Sequence, residues 1–232
     1  MELSVIIPMH NEGANALPCI RRVFHACKKI TPSFELILAE DGSTDRTYET
    51  IKSAARRSKK IRVMHSGKKL GRGKALAFAL RSAKGNISAY MDADLASNLK
   101  HLPQLIACIR DGACVATGSR LMPGARTKRS IKREAASRGY NFLVRRILGS
   151  RLHDHQCGFK AFNTKKILAL LGEIGDTHWF WDTELLVRAQ RKGWRVDEIP
   201  VEWEEAKGTT VRFKNDILYM GKKILELKGR IG

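Results

Sequence analysis

Short apolar runs alternate with helical patterns as far as Gly118, and this alternation leaves the chain few folds to choose from. Residues 3–8 (LSVIIP) form a β-rich run stopped by a proline. Residues 15–29 place Leu17, Ile20, Val23, Phe24 and Cys27 at helical spacing. A second run, FELILAE at 34–40, enters the turn Asp41-Gly42-Ser43-Thr44-Asp45. Thr44 or Asp45 there can cap a helix reaching about Ser58. Strand-like runs at 61–65, 87–91 and 113–117 then alternate with helical patterns at 74–83 and 99–110. This order predicts an α/β fold, a mostly parallel sheet with helices on both faces.

After Gly118 the pattern changes. Residues 122–151 hold nine Arg or Lys and a single acid, Glu134. A returning strand is expected at 157–162, helices at 164–171 and 182–192, a strand ending near Val201, and an amphipathic helix at 211–231. No linker, repeat or low-complexity stretch divides the 232 residues, which suit one domain.

The chain carries 43 Lys and Arg against 23 Asp and Glu, a net charge of +20. Such an excess calls for a polyanionic partner or surface: nucleic acid, anionic headgroups or nucleotide phosphates. It can also serve solubility alone. No nucleic-acid motif is present, and 7% aromatics offer few stacking platforms, so no nucleic-acid partner is expected. The five cysteines show no C-x-x-C spacing, which suits a reducing cytosol. No secretory signal pattern opens the sequence, and no run approaches the 18 or so apolar residues that span a bilayer.

Asp92-Ala93-Asp94 directly follows the apolar run Ile87–Met91. Carboxylates at the carboxyl end of a strand face the crevice where open α/β sheets bind ligands. Two of them one residue apart suit Mg2+ or Mn2+, held together with substrate phosphates. The loops Pro8-Met9-His10-Asn11-Glu12 and Glu40-Asp41-Gly42-Ser43 follow the first two strands on the same side. Glu12 and Asp41 could accept hydrogen bonds from a ribose or base. Gly71-Arg72-Gly73-Lys74 lacks Walker spacing, yet a basic turn entering a helix can approach phosphate. A plain turn fits it equally.

VIIPMHNE, AEDGSTD, LGRGKALAFAL, MDADLAS, GSRL, the 133–141 segment, QCGFKAF, WFWDTELL and EIPVEW occur in that order. Together they resemble family-2 glycosyltransferases of the GT-A (Rossmann-like) fold. More narrowly, they resemble the polyprenol-phosphate hexosyltransferases, that is, dolichyl-phosphate mannose synthase and dolichyl-phosphate glucosyltransferase. The resemblance implies inverting transfer of a hexose from UDP-glucose or GDP-mannose to dolichyl or polyprenyl phosphate. The reaction would occur at the cytosolic membrane face and supply a lipid-linked sugar for protein glycosylation. It implies a nucleotide-sugar half at 1–118, an acceptor half at 119–210 and a C-terminal amphipathic helix at 211–232.

Carried over by motif, Pro8, His10, Glu12 and Asp41 line the nucleotide pocket, and Lys74, Asp92, Ala93, Asp94 and Arg120 complete the donor site. Asp92 and Asp94 hold Mg2+ or Mn2+. Arg120, Arg133, Ser137 and Arg212 take the acceptor phosphate. The implied catalytic set is Asp94, Arg120, Asp182 and Glu184. Where the acceptor is a hydroxyl, an acid at the Asp182–Glu184 position serves as base; with a phosphate acceptor the pair organises the site. As plain sequence, these two acids open a helix, where each is worth ~0.3–1 kcal/mol. The chain departs from the family at His10, usually Tyr, and at Ala96, where some mannose synthases carry a metal-ligating Gln and water would fill the place. DADLAS, GRGKALA and QCGFK lean toward the glucosyltransferase branch.

Residues 126–151 mix basic residues with Ile131, Tyr140, Phe142, Leu143, Val144, Ile147 and Leu148. The terminal helix spaces Phe213, Ile217, Met220, Ile224, Leu227 and Ile231 along a stripe, with Lys214, Lys222, Lys223, Lys228 and Arg230 on its other faces. Basic amphipathic helices of this kind read as interfacial anchors, each Lys or Arg near an anionic leaflet adding ~1 kcal/mol. The terminal stripe could instead pack on the domain. A lipid acceptor favours the anchor, giving a peripheral enzyme on the membrane surface, with a small integral membrane protein as a further candidate partner. The rival readings are a family-2 transferase with a glycan or other lipid acceptor, and a basic nucleic-acid-binding module whose affinity falls steeply with salt.

Overall fold

The protein is represented by a computed structural model that describes residues 1–205 and 213–231, with side chains in the last stretch from Leu218 onward. Its elements run β1 (Leu3–Met9), α1 (Gly13–Ile30), β2 (Phe34–Asp41), α2 (Thr47–Arg56), β3 (Ile61–Ser66), α3 (Arg72–Ser82) and β4 (Ile87–Met91). After a 3-10 turn at Leu99–His101 follow α4 (Leu102–Arg110), β5 (Val115–Ser119), β6 (Arg126–Lys128), α5 (Ile131–Leu148) and β7 (Phe159–Asn163). The chain closes with α6 (Thr164–Leu170), α7 (Trp181–Arg191), β8 (Val196–Pro200), β9 (Glu202–Glu204) and α8 (Phe213–Ile231).

The seven-stranded sheet has the order β3-β2-β1-β4-β7-β5-β8. The pairs β1–β2, β1–β4, β2–β3 and β5–β8 are parallel, as the alternation predicts. The returning strand β7 is antiparallel to both neighbours, β4 and β5. β6 and β9 form a small parallel ribbon. The central strands are buried on both faces, hence their continuous apolar runs.

One core layer joins Val5, Ile7, Leu36 and Leu38 to Ile20 and Val23 of α1 and Leu105 and Ile106 of α4. On the other sheet face, Ile6, Ile37, Tyr90 and Phe162 meet Leu76 and Leu80 of α3 and Trp181 and Leu185 of α7. A third cluster packs Val144 and Leu148 of α5 and Phe180 and Val187 against Met220, Ile224 and Leu227 of α8.

That third cluster corrects the anchor expected at the terminal stripe. Met220, Ile224 and Leu227 are buried on the domain, where periodicity alone left lipid and protein as equal covers. The side chains of Phe213 and Ile217 lie outside the described residues. On the helices of this cluster the exposed large apolar side chains are Ile131, Phe142 and Leu143 of α5 and Leu218 and Leu225 of α8, and others, Leu17, Phe78, Leu168 and Trp179 among them, are scattered over the remaining surface. Among the described residues no helix is long and apolar enough to cross a membrane.

Helix α3 starts two residues earlier than its apolar pattern suggests. Gly71 takes φ +100°, open to glycine at little cost, and turns the chain directly into Arg72. Asp45, one of the two expected caps, serves two helices at once. Its Oδ1 accepts from Thr47 N at 2.9 Å and its Oδ2 from Gly13 N at 3.0 Å.

Candidate active site

The loops after β1, β2 and β4 lie at the carboxyl ends of parallel strands, and those after β1 and β2 are stitched to each other. His10 Nδ1 lies 2.8 Å from the Asp41 carbonyl oxygen. Asn11, at φ +57°, accepts from Thr44 N at 2.8 Å, and Glu12 N donates to Thr47 Oγ1 at 2.7 Å. Asp41 is buried, and its oxygens accept from Leu70 N at 2.5 Å and Gly71 N at 3.0 Å. It thereby ties the end of β2 to the turn before α3.

Asp92 and Asp94 emerge where β4 ends, and Asp94 Oδ1 accepts from Ala96 N at 3.0 Å. Leu95 between them and the next loop sits at φ +51°, an uncommon backbone state for a branched side chain. A small cavity here is lined by Asp92, Asp94, Ala96, Ser97, Gly158 and Trp203. Burial and the charge of Asp92 push the Asp94 carboxyl up, although the Ala96 amide opposes them. Burial also raises Glu12, opposed by Asn15 and reinforced by Asp94 and Asp92. The three acids therefore share one crowded negative region, as their strand-end positions predict. Ala93 is buried, and Lys74 is exposed on the first turn of α3.

Behind the acids lies a buried charge relay. Arg72 places Nη2 at 2.7 Å and Nε at 3.2 Å from Asp92 Oδ1, and Nη1 at 2.6 Å from Asp182 Oδ2. Asp182 also receives Lys160 Nζ at 3.1 Å and the Tyr90 hydroxyl. Burial alone would raise Asp182; Lys160 and Arg72 outweigh it and hold the carboxyl low.

Glu184 does not join this group. Two residues along a helix turn the side chain about 200° away. Its Oε1 pairs with Arg188 at 2.9 Å and Arg230 of α8 at 3.2 Å, and its Oε2 accepts from Asp176 N at 3.0 Å. It ties α7 to α8.

A second, basic wall stands at the end of β5. Arg120 forks onto Asp154, Nε to Oδ2 at 2.6 Å and Nη2 to Oδ1 at 2.9 Å, and its guanidinium lies over the Trp203 ring. Burial would raise Asp154, but Arg120 overrides it and depresses its pKa far below the usual carboxylate range. Arg129 is nearly buried beside them, its pKa lowered by burial and by the charge of Arg120. Arg133 pairs with Glu205 at 2.6 Å. Ser137 follows one turn later on the same side of α5. Arg212 lies outside the described residues.

Four side chains at these sites fall outside the motif-derived set: Arg72, Lys160, Asp154 and Arg129. A lysine inside the apolar strand FKAF is a signal for a buried charge partner. Arg72 lies in the Gly-flanked basic turn, where Lys74 is the more obvious cation. Nothing local marks Asp154, whose partner is 34 residues away.

Comparison with known proteins agrees with this fold. The glycosyl transferase family 2 profile matches residues 4–171. Glycosyltransferase AglD of Haloferax volcanii is 46% identical over 97% of this chain, which spans 36% of that protein. The dolichyl-phosphate beta-glucosyltransferase of Saccharomyces cerevisiae is 30% identical over 97% of the chain and 74% of its own length. The human dolichyl-phosphate beta-glucosyltransferase is 29% identical over 99% of the chain and 75% of its own length. Among solved structures, glucosyl-3-phosphoglycerate synthase of Mycobacterium tuberculosis in complex with UDP superimposes with a TM-score of 0.71, covering 98% of this chain and 80% of that one at 19% identity. That likeness establishes the GT-A type of α/β fold. With its profile spanning most of the sequence, this chain is a member of glycosyl transferase family 2.

Proposed function

We propose that this protein transfers a hexose, with inversion, from a nucleoside diphosphate sugar to the phosphate of a polyprenol. The observation that carries the reading is that an acidic wall and a basic one meet at Trp203, whose ring lines the cavity of Asp92 and Asp94 and lies under the Arg120 guanidinium. The acidic wall suits a divalent cation shared with the donor diphosphate, and the basic wall suits the acceptor phosphate.

The residues fit Mg2+ or Mn2+. Asp92 and Asp94 offer hard oxygens, and their mutual repulsion is what a cation relieves. Among the described residues no cluster of three or more acidic, His or Cys ligands forms a complete cage, so phosphate oxygens and water would supply the rest. Bound there, the cation stabilises charge on the departing diphosphate as a Lewis acid.

The acceptor is already anionic, so one of its oxygens can bond to the anomeric carbon as the bond to the diphosphate breaks, and no base need take a proton. The state of Asp182 supports this. Three donors engage it, and its lowered pKa makes it a poor proton acceptor. Asp182 therefore positions the cations of the site. Pro8, His10 and Glu12 form the nucleoside end of the donor pocket, with Ala93 and Lys74 beside it, and Asp41 supports it from behind by holding the Leu70 and Gly71 amides. Arg120, Arg133 and Ser137 form the acceptor end.

The dolichyl-phosphate beta-glucosyltransferases among its relatives favour glucose, with UDP-glucose as donor and mannose from GDP-mannose as the alternative. The outward Ile131, Phe142, Leu143, Leu218 and Leu225 lie on basic helices, which suits peripheral seating on an anionic membrane surface. All five cysteines are free, which suits a cytosolic face.

Transfer of labelled sugar to dolichyl phosphate from UDP-glucose and from GDP-mannose, with Mn2+ or EDTA, tests the reading. A lipid-linked product that EDTA abolishes is expected from UDP-glucose. Sugar found only on a glycan or another lipid would replace the polyprenol acceptor.

Gly158 gives a separate test of the cation site. A Cβ there would sit 1.8 Å from Asp92 Oδ2, so Gly158→Ala must push that carboxylate aside. Mn2+ affinity measured in the presence of UDP is expected to fall by about 10- to 100-fold, the usual cost of disturbing a neighbour of a metal ligand. Unchanged affinity would remove Asp92 from the cation site.

A further inference from the structure

Both oxygens of Asp92 already have neighbours. Oδ1 accepts two N–H groups of Arg72, and Oδ2 lies tight against Gly158. A cation that binds Asp92 through Oδ1 must share that oxygen with Arg72 or take it. Arg72 is itself held from behind, by Asp182 at 2.6 Å, which Lys160 and Tyr90 fix in turn. Its guanidinium lies over the rings of Tyr90 and Trp179 at 5.3 and 5.6 Å. The backbone that carries it has little room: a Cβ on Gly71 would meet His178 and the Thr177 carbonyl at 2.6 Å.

We infer that Arg72 is the resident counter-ion of the cation site. It keeps Asp92 oriented and charge-balanced until a divalent cation arrives with a diphosphate, then releases Oδ1 while staying docked on Asp182. The inference rests on the proposed cation site at Asp92 and Asp94. The arrangement of charge supports it. Arg72 and Lys160 face Asp92 and Asp182, two cations against two anions. A cation alone is drawn by Asp94 and Glu12 but meets at Asp92 a carboxylate that is already paired, and must compete there with a bound guanidinium. A cation accompanied by a diphosphate brings compensating negative charge, which the released guanidinium can meet with its fork of donors. Arg72 thus couples uptake of the cation to uptake of the donor.

Mn2+ uptake, followed by the EPR signal of the free ion with and without UDP and with GDP in parallel, tests this. In the unaltered protein Mn2+ alone binds weakly, and nucleotide strengthens it by about 5- to 150-fold, the ordinary range of coupling between two ligands. In Arg72→Met, Mn2+ alone is expected to bind about tenfold tighter or more, and the nucleotide enhancement to shrink toward unity. Arg72→Lys keeps a charge that cannot bridge both carboxylates and should fall between; it also serves if the Met variant does not fold. If neither variant binds Mn2+ alone more tightly, while Asp94→Asn still abolishes nucleotide-promoted uptake, the counter-ion role is wrong and the cation site stands. If Asp94→Asn leaves that uptake unchanged, the cation site itself is wrong, and the counter-ion role falls with it.

Discussion

Asp94→Asn is expected to lower sugar transfer by about a thousandfold with either Mg2+ or Mn2+, a loss of about 4 kcal/mol of transition-state stabilisation. The amide keeps the shape and the hydrogen bond to Ala96 but removes one of two charged ligands. Stability should move the other way. Burial and Asp92 raise the Asp94 pKa in the folded protein, so the native state binds this proton more tightly than the unfolded chain does. Stability then falls as pH rises from the unfolded carboxyl value through the folded one. The asparagine variant lacks this penalty and, without metal, should melt at a higher temperature than the unaltered protein at pH 7. Activity and thermal melting measured on one preparation check both halves. Full turnover in the variant would move the metal elsewhere, and a lowered melting temperature would mean that the carboxylate supports the fold.

Asp154→Ala carries the largest expected structural effect. Asp154 is fully buried and accepts Arg120 Nε, Arg120 Nη2 and the Arg120 backbone amide. Removing it leaves a largely buried guanidinium without its partner, which costs about 3–5 kcal/mol. It also frees Arg120, already crowded by Arg129, to leave the position proposed for phosphate. Urea unfolding at pH 7 should show that loss. The pH dependence has a definite sign. Asp154 has a depressed folded pKa, so its contribution is present above the unfolded carboxyl value of about 3.9 and is lost as pH falls through the folded value. The acid limb of the stability curve should be shallower in the variant. A loss under about 1 kcal/mol would mean that Arg120 is held by something other than this pair.

The acids at the strand ends were legible because strand-end position is a local property. An apolar run that stops at Asp92 places that residue at the sheet edge whatever the rest of the chain does. Glu12 and Asp41 follow by the same logic. What local reading does not reveal is the direction in which an acid is engaged. Asp41 turns to the Leu70 and Gly71 amides, and Glu184 turns to α8, although both sit in motifs that suggest the site. The stripe on α8 shows the same boundary: its spacing marks one apolar face, and the packing of α5 and α7 decides what covers it.

The order of elements as far as β5, the mainly parallel sheet and the acidic edge were therefore determined by the sequence alone, since each follows from periodicity or chemistry within a few residues, whereas the short strands β6 and β9 carry no such pattern. The tertiary structure alone decided that Arg72 bridges Asp92, 20 residues away, and Asp182, 110 residues away. It decided that β7 enters antiparallel between β4 and β5, bringing Lys160 beneath Asp182. Charges so distant in sequence meet only after strands choose neighbours, and a buried ion pair persists only where that choice supplies both partners.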